Sequence, residues 1–285
     1  MSHDRATSEI PPLPELPDVS VVVVAFNEVS TIRQTIVAII EYFDKRGLRC
    51  EVVAAIDGND GTREIVSGLS KEDGRIRLLG GEGRRGKGVS IREAILQAEG
   101  RIIGFLDGDN KVPITEFEKL EGWLRSGCEV VIGSRGLPTS IIERNQRWVR
   151  QVGSRIFAFV MHAVIGLHDI VDTQCGFKFF RRDAAVDLFA RQKVDGYMFD
   201  VEILLLAKQA GYCVKEVPIR WRDDHDSRLN LFAGNFRNGF ELLSIWWRLG
   251  KDSSARGAVR GQQAGDAFRG RTDTSQDEDA DPRPD

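Results

Sequence analysis

The sequence predicts an α/β protein in which a mostly parallel sheet is flanked by helices. Three observations lead there. Val19 to Ala25 is a nearly unbroken valine run, as a strand covered on both faces requires. Further short apolar runs follow it in alternation with segments of helical periodicity, the order that builds right-handed crossovers and a parallel sheet. Of the 285 residues, 41% are hydrophobic and 29% charged, which supports one core-bearing domain with appendages.

The elements follow in order. After the Val19–Ala25 strand, Ser30 offers a helix N-cap, and Ile32, Ile36, Ile40 and Phe43 recur at helical spacing until Gly47. Glu51 to Ile56 is the second strand and enters the turn Asp57-Gly58-Asn59-Asp60-Gly61. A helix through Ile65, Val66 and Leu69 leads to a short strand at Arg75–Leu79 and a glycine-rich loop, Gly80 to Gly88. The next helix carries Ile91, Ile95 and Leu96, and Arg101 to Leu106 is the fourth strand. Pro113 opens a helix with Phe117, Leu120 and Leu124, and Glu129–Ile132 is the fifth strand.

The second half changes rhythm. One long helix is expected over Glu143–Gly166 and a strand at Phe177–Phe180. Helices are expected at Asp183–Ala190 and Phe199–Ala210, then a strand at Val214–Pro218 and an aromatic helix at Leu231–Leu249. No internal repeat is visible. Residues 1–17 are polar and proline-rich, and 251–285 hold almost no large apolar residue, so both are expected to be disordered around a domain at 18–250.

The formal net charge of −3 argues against a nucleic-acid partner. Cys50, Cys128, Cys175 and Cys213 are scattered without a Cys-x-x-Cys pair, so reduced thiols packed in a core are expected, with neither disulfides nor zinc. The N-terminus lacks a secretory pattern, and no run of about 18 apolar residues exists. The expected location is cytoplasmic, with peripheral attachment to the cytoplasmic membrane face as a further option.

Polar clusters gather where strands end. Asn27-Glu28 follows the first strand, Asp57-Gly58 the second, Gly86-Lys87-Gly88 the third and Asp107-Gly108-Asp109 the fourth. Open α/β sheets bind ligands beyond the carboxyl ends of their strands. Asp107 and Asp109, two residues apart at a strand end, can converge on a hard cation, Mg²⁺ or Mn²⁺, that leaves positions open for a substrate diphosphate.

These residues carry a resemblance. Val-Val-Ala-Phe-Asn-Glu (23–28), Asp57-Gly58-Asn59-Asp60-Gly61-Thr62, Arg85-Gly86-Lys87-Gly88, Asp107-Gly108-Asp109 and Asp172-Thr173-Gln174-Cys175-Gly176-Phe177-Lys178 resemble the motifs of family 2 glycosyltransferases of GT-A fold. The chain is most similar to the polyprenyl- and dolichyl-phosphate glucosyl- and mannosyltransferase group, from about Val19 to Trp247. The resemblance implies an inverting hexosyl transfer from a nucleotide diphosphate sugar, UDP-glucose first and GDP-mannose second, to a polyprenyl phosphate. It implies donor contacts from Ala25, Asn27, Glu28, Asp57, Lys87, Asp107 and Gly108, and metal ligation by Asp107 and Asp109. It also places Arg135, Arg150 and Ser154 at the acceptor phosphate and the pair Asp200 and Glu202 near the acceptor. Arginine suits that task because its planar fork donates two hydrogen bonds to phosphate oxygens.

Three positions depart from the family pattern: Val24 stands for its usual proline, the acidic turn is one residue short, and Lys111 replaces a metal-contacting glutamine of some relatives. Other residues read in more than one way. Asn27-Glu28 can simply begin a helix, Lys87 can be a solvated loop charge, and Arg144 and Arg147 fit a solvated helix face. Cys175 is expected to be a small packed residue rather than a nucleophile, and Asp172 either orients Lys178 or Arg181 or meets substrate.

A phosphate acceptor is already mostly anionic near pH 7, so positioning suffices; a hydroxyl acceptor needs a base, and then Asp109 and Asp200 are the catalytic acids to test, Asp200 as the base. A soluble hydroxyl acceptor and a non-catalytic nucleotide-sugar-binding protein are the alternatives. In the closing helix Phe232, Phe236, Phe240, Leu243 and Trp247 share roughly one face, with Trp246 and Arg237 beside it; the face packs on the sheet or rests on a membrane surface.

Overall fold

A computed structural model describes residues 16–143, 167–222 and 235–250. Its main sheet has seven strands in the order β3-β2-β1-β4-β7-β5-β8. They are β1 (Val19–Phe26), β2 (Cys50–Asp57), β3 (Ile76–Leu79), β4 (Ile102–Asp107), β5 (Val130–Ser134), β7 (Phe177–Arg181) and β8 (Val214–Pro218). All pair in parallel except β7, which runs antiparallel between β4 and β5. Two short strands, β6 (Ile141–Ile142) and β9 (Arg220–Trp221), pair separately.

Alternation along the strands explains the two cores. Val21 and Val23 face one layer, with Ile36 and Phe43 of α1 (Ile32–Lys45), Val66 of α2 (Thr62–Glu72) and Leu120 of α4 (Phe117–Arg125). Val22 and Val24 face the other, with Ile91 of α3 (Lys87–Gln97), Phe189 of α5 (Arg182–Arg191) and Leu204 of α6 (Phe199–Ala210). The mostly parallel sheet with flanking helices is therefore as expected. The strands at Val214–Pro218 and the helix at Phe199–Ala210 have the expected limits.

Several local readings change. Thr31, not Ser30, is the N-cap of α1, and it makes no side-chain cap bond. Its hydroxyl donates instead to the Gly108 carbonyl at 2.9 Å, a tertiary bond that outweighs the local one. Pro113 is followed by a 3₁₀ turn before α4 begins. Pro17, assigned to the N-terminal segment, already belongs to the fold, since its carbonyl accepts from Arg101 N. Within the expected closing helix the described part is α7 (Asn235–Ile245) and a π turn at Trp246–Gly250. Phe240, Leu243 and Trp247 are 71%, 58% and 70% exposed, so these three do not pack on the sheet, whereas Ile245 is buried; Phe232 lies outside the described residues. Of the long helix expected over Glu143–Gly166, residues 144–166 lie outside the described residues, as do residues 1–15 of the segment 1–17 expected to be disordered and all of 251–285.

The cysteine reading is corrected. Cys128 and Cys213 form a disulfide, their Cα atoms 4.9 Å apart, while Cys50 and Cys175 are buried free thiols. Parallel pairing of Val130 with Val214 sets the residues before β5 and β8 side by side, a proximity that 85 residues of separation conceal. The bond clips edge strand β8 to β5 at the sheet end opposite the polar clusters. Thiol titration of denatured, unreduced protein is expected to find two reactive groups, and four after reduction; four before reduction would exclude the bond.

Candidate active site

The carboxyl ends of β1, β2, β4 and β5 and the start of β7 meet at one sheet edge. Asp107 ends β4, and Asn110 beyond it has φ +56°, so the Asp107-Gly108-Asp109 turn folds back sharply. The turn is clamped from α1: Thr31 and Thr35 hydroxyls donate to the Gly108 carbonyl at 2.9 and 3.0 Å. Gly108 N donates to Val24 O. Ala25 is buried under this turn, where a Cβ at position 108 would lie 2.8 Å from its methyl group. Gly176, ahead of β7, is needed for another reason: a Cβ there would sit 2.1 Å from an Asp107 oxygen.

Each carboxylate faces a lysine. Lys87 Nζ lies 2.6 Å from Asp107 Oδ1, and Lys111 Nζ 2.9 Å from Asp109 Oδ2. The aspartate side chains keep 38% and 25% of their surface exposed, so both remain open to a bound group. Burial works against the Lys87 ammonium, but Asp107 and Asp200 hold it above the ordinary lysine range. Lys87 is thus an ordered charge in the site and not a solvated one.

Around this centre, the loops hold one another. Asn27, with φ +59°, accepts Asn59 N on its Oδ1, and Glu28 N donates to the Thr62 hydroxyl. Asp57 is 5% exposed and fully engaged: it accepts from Gly81 N, Arg85 Nε and N, and the Ser90 hydroxyl. Expected to touch a nucleoside, it also secures the glycine-rich loop. Arg84 from that loop lies over the Phe26 ring at 5.0 Å and donates to the Tyr197 hydroxyl, a cover that no sequence motif announced.

The acceptor-side expectations divide. Arg135, just after β5, gives its Nε and Nη2 to both Asp172 oxygens at 2.7 and 2.8 Å, and its backbone N to the same carboxylate. Burial opposes the Asp172 charge, yet Arg135 holds its carboxyl below the usual range. Asp172 therefore orients Arg135, and neither Lys178 nor Arg181. Glu216 of β8 accepts the amides of Val171 and Asp172, and the Trp221 ring lies 5.7 Å from the Arg135 guanidinium. Arg150 and Ser154, with Arg144 and Arg147, lie outside the described residues.

Asp200 and Glu202 are both buried. Asp200 is 2% exposed and takes a hydrogen bond from Lys178 Nζ at 2.6 Å; Lys178 is itself fully buried and also donates to Cys175 O. Burial pushes the Asp200 carboxyl above its ordinary value, with Lys178 and Lys87 opposing the shift. Glu202 is 1% exposed and accepts the amides of Lys193 and Val194. Burial pushes the Cys175 thiol up to about 12, which leaves it unreactive. Gln174 Nε2 is a buried donor with no acceptor among the described residues, so it is available to a bound group.

Comparison with known proteins now decides the family. The pattern of Glycosyl transferase family 2 matches residues 20–189. The chain belongs to glycosyltransferase family 2. A dolichyl-phosphate β-glucosyltransferase of Trichomonas vaginalis is 32% identical to this glycosyltransferase over 242 residues, covering 80% of this chain and 71% of that protein. Its namesake in Drosophila melanogaster is 30% identical over 264 residues, 86% and 80% of the two chains. Among solved structures, glucosyl-3-phosphoglycerate synthase from Mycobacterium tuberculosis, crystallised with Mn²⁺, UDP and phosphoglyceric acid, superposes with a TM-score of 0.62. It covers 81% of this chain and 78% of its own at 20% identity, and so supports the GT-A fold.

Proposed function

We propose that this glycosyltransferase moves glucose, with inversion, from UDP-glucose to a polyprenyl phosphate of the dolichyl type. The observation that carries the reading is the meeting, at one sheet edge, of the clamped Asp107/Asp109 pair with Arg135 held in a fixed pose by Asp172. The names of the relatives support the glucose donor and the lipid phosphate acceptor.

The donor set suits a hard cation. Among the described residues no cluster of three or more His, Cys, Asp or Glu side chains could cage a metal. Two exposed carboxylates are nevertheless what Mg²⁺ or Mn²⁺ uses when substrate phosphates and water complete its shell. Asp107 and Asp109 would hold the ion, which when bound neutralises the diphosphate leaving group. Lys87 and Lys111 lie against the same carboxylates and add positive charge where the leaving group gains negative charge.

The Asn27–Glu28 loop and the loop secured by Asp57 enclose the donor side, and Gly108 with Ala25 forms its floor. Arg135 would direct the acceptor phosphate with the guanidinium edge that Asp172 leaves free, and Arg150 and Ser154 would complete its grip. Because the acceptor arrives as an anion, its oxygen attacks the anomeric carbon without a base. The engagement of Asp200 by buried Lys178 favours this over a hydroxyl acceptor.

No helix among the described residues is long and apolar enough to cross a membrane. The outward stripe Phe240, Leu243 and Trp247 would instead rest at the headgroup boundary on the cytoplasmic face. Phe240→Ser with Trp247→Ser is expected to release the protein from sedimenting lipid vesicles; undiminished co-sedimentation would exclude this face.

The deciding experiment offers radiolabelled UDP-glucose and GDP-mannose, each with a C55-type polyprenyl phosphate or with soluble sugars. Label from UDP-glucose should enter the lipid phase. Label from GDP-mannose alone would replace the donor, and transfer only to soluble sugars would overturn the acceptor.

A further inference from the structure

The closing helix reaches the donor loop through a chain of polar contacts. Glu241 of α7 lies against the 193–198 segment joining α5 to α6. Its Oε2 accepts Met198 N at 3.2 Å, and a Cβ at Gly196 would fall 2.1 Å from its Oε1. Seven residues and about two turns further on, Arg248 pairs with buried Glu202 at 3.0 Å. The other Glu202 oxygen accepts Lys193 N and Val194 N at 2.9 and 2.7 Å. Between helix and segment runs a cleft of about 340 Å³ edged by Lys193, Asp195 and Phe240. Polar bridges therefore span this cleft beside the apolar packing of Ile245, which shares a core cluster with Val194 and Met198.

The same segment grips the N-terminus of α3. Asp195 O accepts Gly88 N and Val89 N at 3.0 and 3.3 Å, and Gln192 Nε2 donates to Gly88 O at 3.0 Å. Arg92 of α3 reaches back to Asp195 Oδ1. The fit is close, because a Cβ at Gly88 would lie 2.5 Å from the Val194 carbonyl oxygen. Lys87, between the glycines, is the residue whose ammonium meets Asp107.

We infer that Glu241 and Arg248 are positioning residues that set the 193–198 segment, and through it the α3 N-terminus and Lys87, for nucleotide-sugar binding. Neither touches the donor. Their loss should loosen the loop that carries Lys87 and weaken donor binding, with little change in the sheet.

The test compares Glu241→Ala, Glu241→Gln and Arg248→Lys with the parent by amide hydrogen exchange and steady-state kinetics. Arg248→Ala is avoided because it strands buried Glu202 without its cation and risks unfolding. In Glu241→Ala, exchange over residues 86–90 should quicken about tenfold while the β2 segment 52–56 stays unchanged. The KM for nucleotide sugar should rise about fivefold with kcat within about twofold. Glu241→Gln, which can still accept from Met198 N, should restore both, and Arg248→Lys should fall between. Unchanged exchange at 86–90, faster exchange throughout the sheet, or no recovery with glutamine would overturn the inference. So would a loosened loop with unaltered donor KM. The kinetic arm rests on the donor reading above, whereas the exchange arm needs no ligand; a parent inactive with every nucleotide sugar would remove the former, and the exchange result would then decide.

Discussion

Asp109→Asn is expected to leave a folded protein that has lost at least about a hundredfold in transfer, a deficit of roughly 2.7 kcal/mol in transition-state stabilisation. Stability should barely move. Asp109 is a quarter exposed and its pair with Lys111 is near the surface, where such bridges contribute about 1 kcal/mol or less. Lys111 N also donates to Asp109 Oδ1, a bond the asparagine oxygen can keep. The contrast between lost turnover and retained melting temperature separates a ligand role from a structural one. Activity within about threefold of the parent at saturating Mg²⁺ or Mn²⁺, or full activity in EDTA, would remove the metal role of the pair.

Lys178→Met carries the opposite signature. Both partners of the Lys178–Asp200 pair are buried, and removing one leaves the other as an uncompensated charge, at a cost of about 3–5 kcal/mol. At about 2–4 °C per kcal/mol for a domain of this size, the melting temperature should fall by roughly 6–20 °C. Asp200 already has its carboxyl raised above the ordinary 3.8 by burial, and losing the Lys178 cation raises it further. Between those two values the folded protein binds more protons than the unfolded chain, so stability falls as pH rises through the window. The Lys178→Met deficit should therefore be smaller at about pH 4.5 than at about pH 8. Adding Asp200→Leu should recover most of the loss, since an apolar pair carries no desolvation cost. An unchanged melting temperature, or a deficit independent of pH, would show that Asp200 does not sit charged against Lys178.

What could be read from the chain alone follows from how local each signal is. Strand and helix identity depends on periodicity within a few residues, so the valine run of β1 and the limits of α6 and β8 were recoverable. The clustering of Asn27, Lys87, Asp107 and Asp109 at one edge followed from topology, because parallel strands end together. Partnerships between distant side chains were not recoverable. Nothing near Asp172 in sequence names Arg135, 37 residues earlier, as its partner. Nothing near Asp57 shows that its oxygens are spent on Arg85, Ser90 and Gly81. Glu202 carried the family motif yet serves the 193–198 segment and Arg248, and the disulfide joins cysteines that only strand register brings together. The stripe of Phe240, Leu243 and Trp247 had the right spacing for a core, and spacing cannot say which face a neighbour covers.

The antiparallel strand has a consequence for biogenesis. β7 is inserted between β4 and β5, so both of these strands keep a bare edge until Phe177–Arg181 has been synthesised. A nascent chain that has emerged only as far as β5 would thus display two unsatisfied, apolar ladders in the midst of its sheet, the surfaces on which strands from other chains add. The amino-terminal half cannot then behave as an autonomous folding unit on the ribosome, however complete its donor motifs. Sheet closure is a late, long-range event. Fragments cut between β5 and β7 should accumulate as aggregates, whereas cuts beyond β8 should spare the sheet.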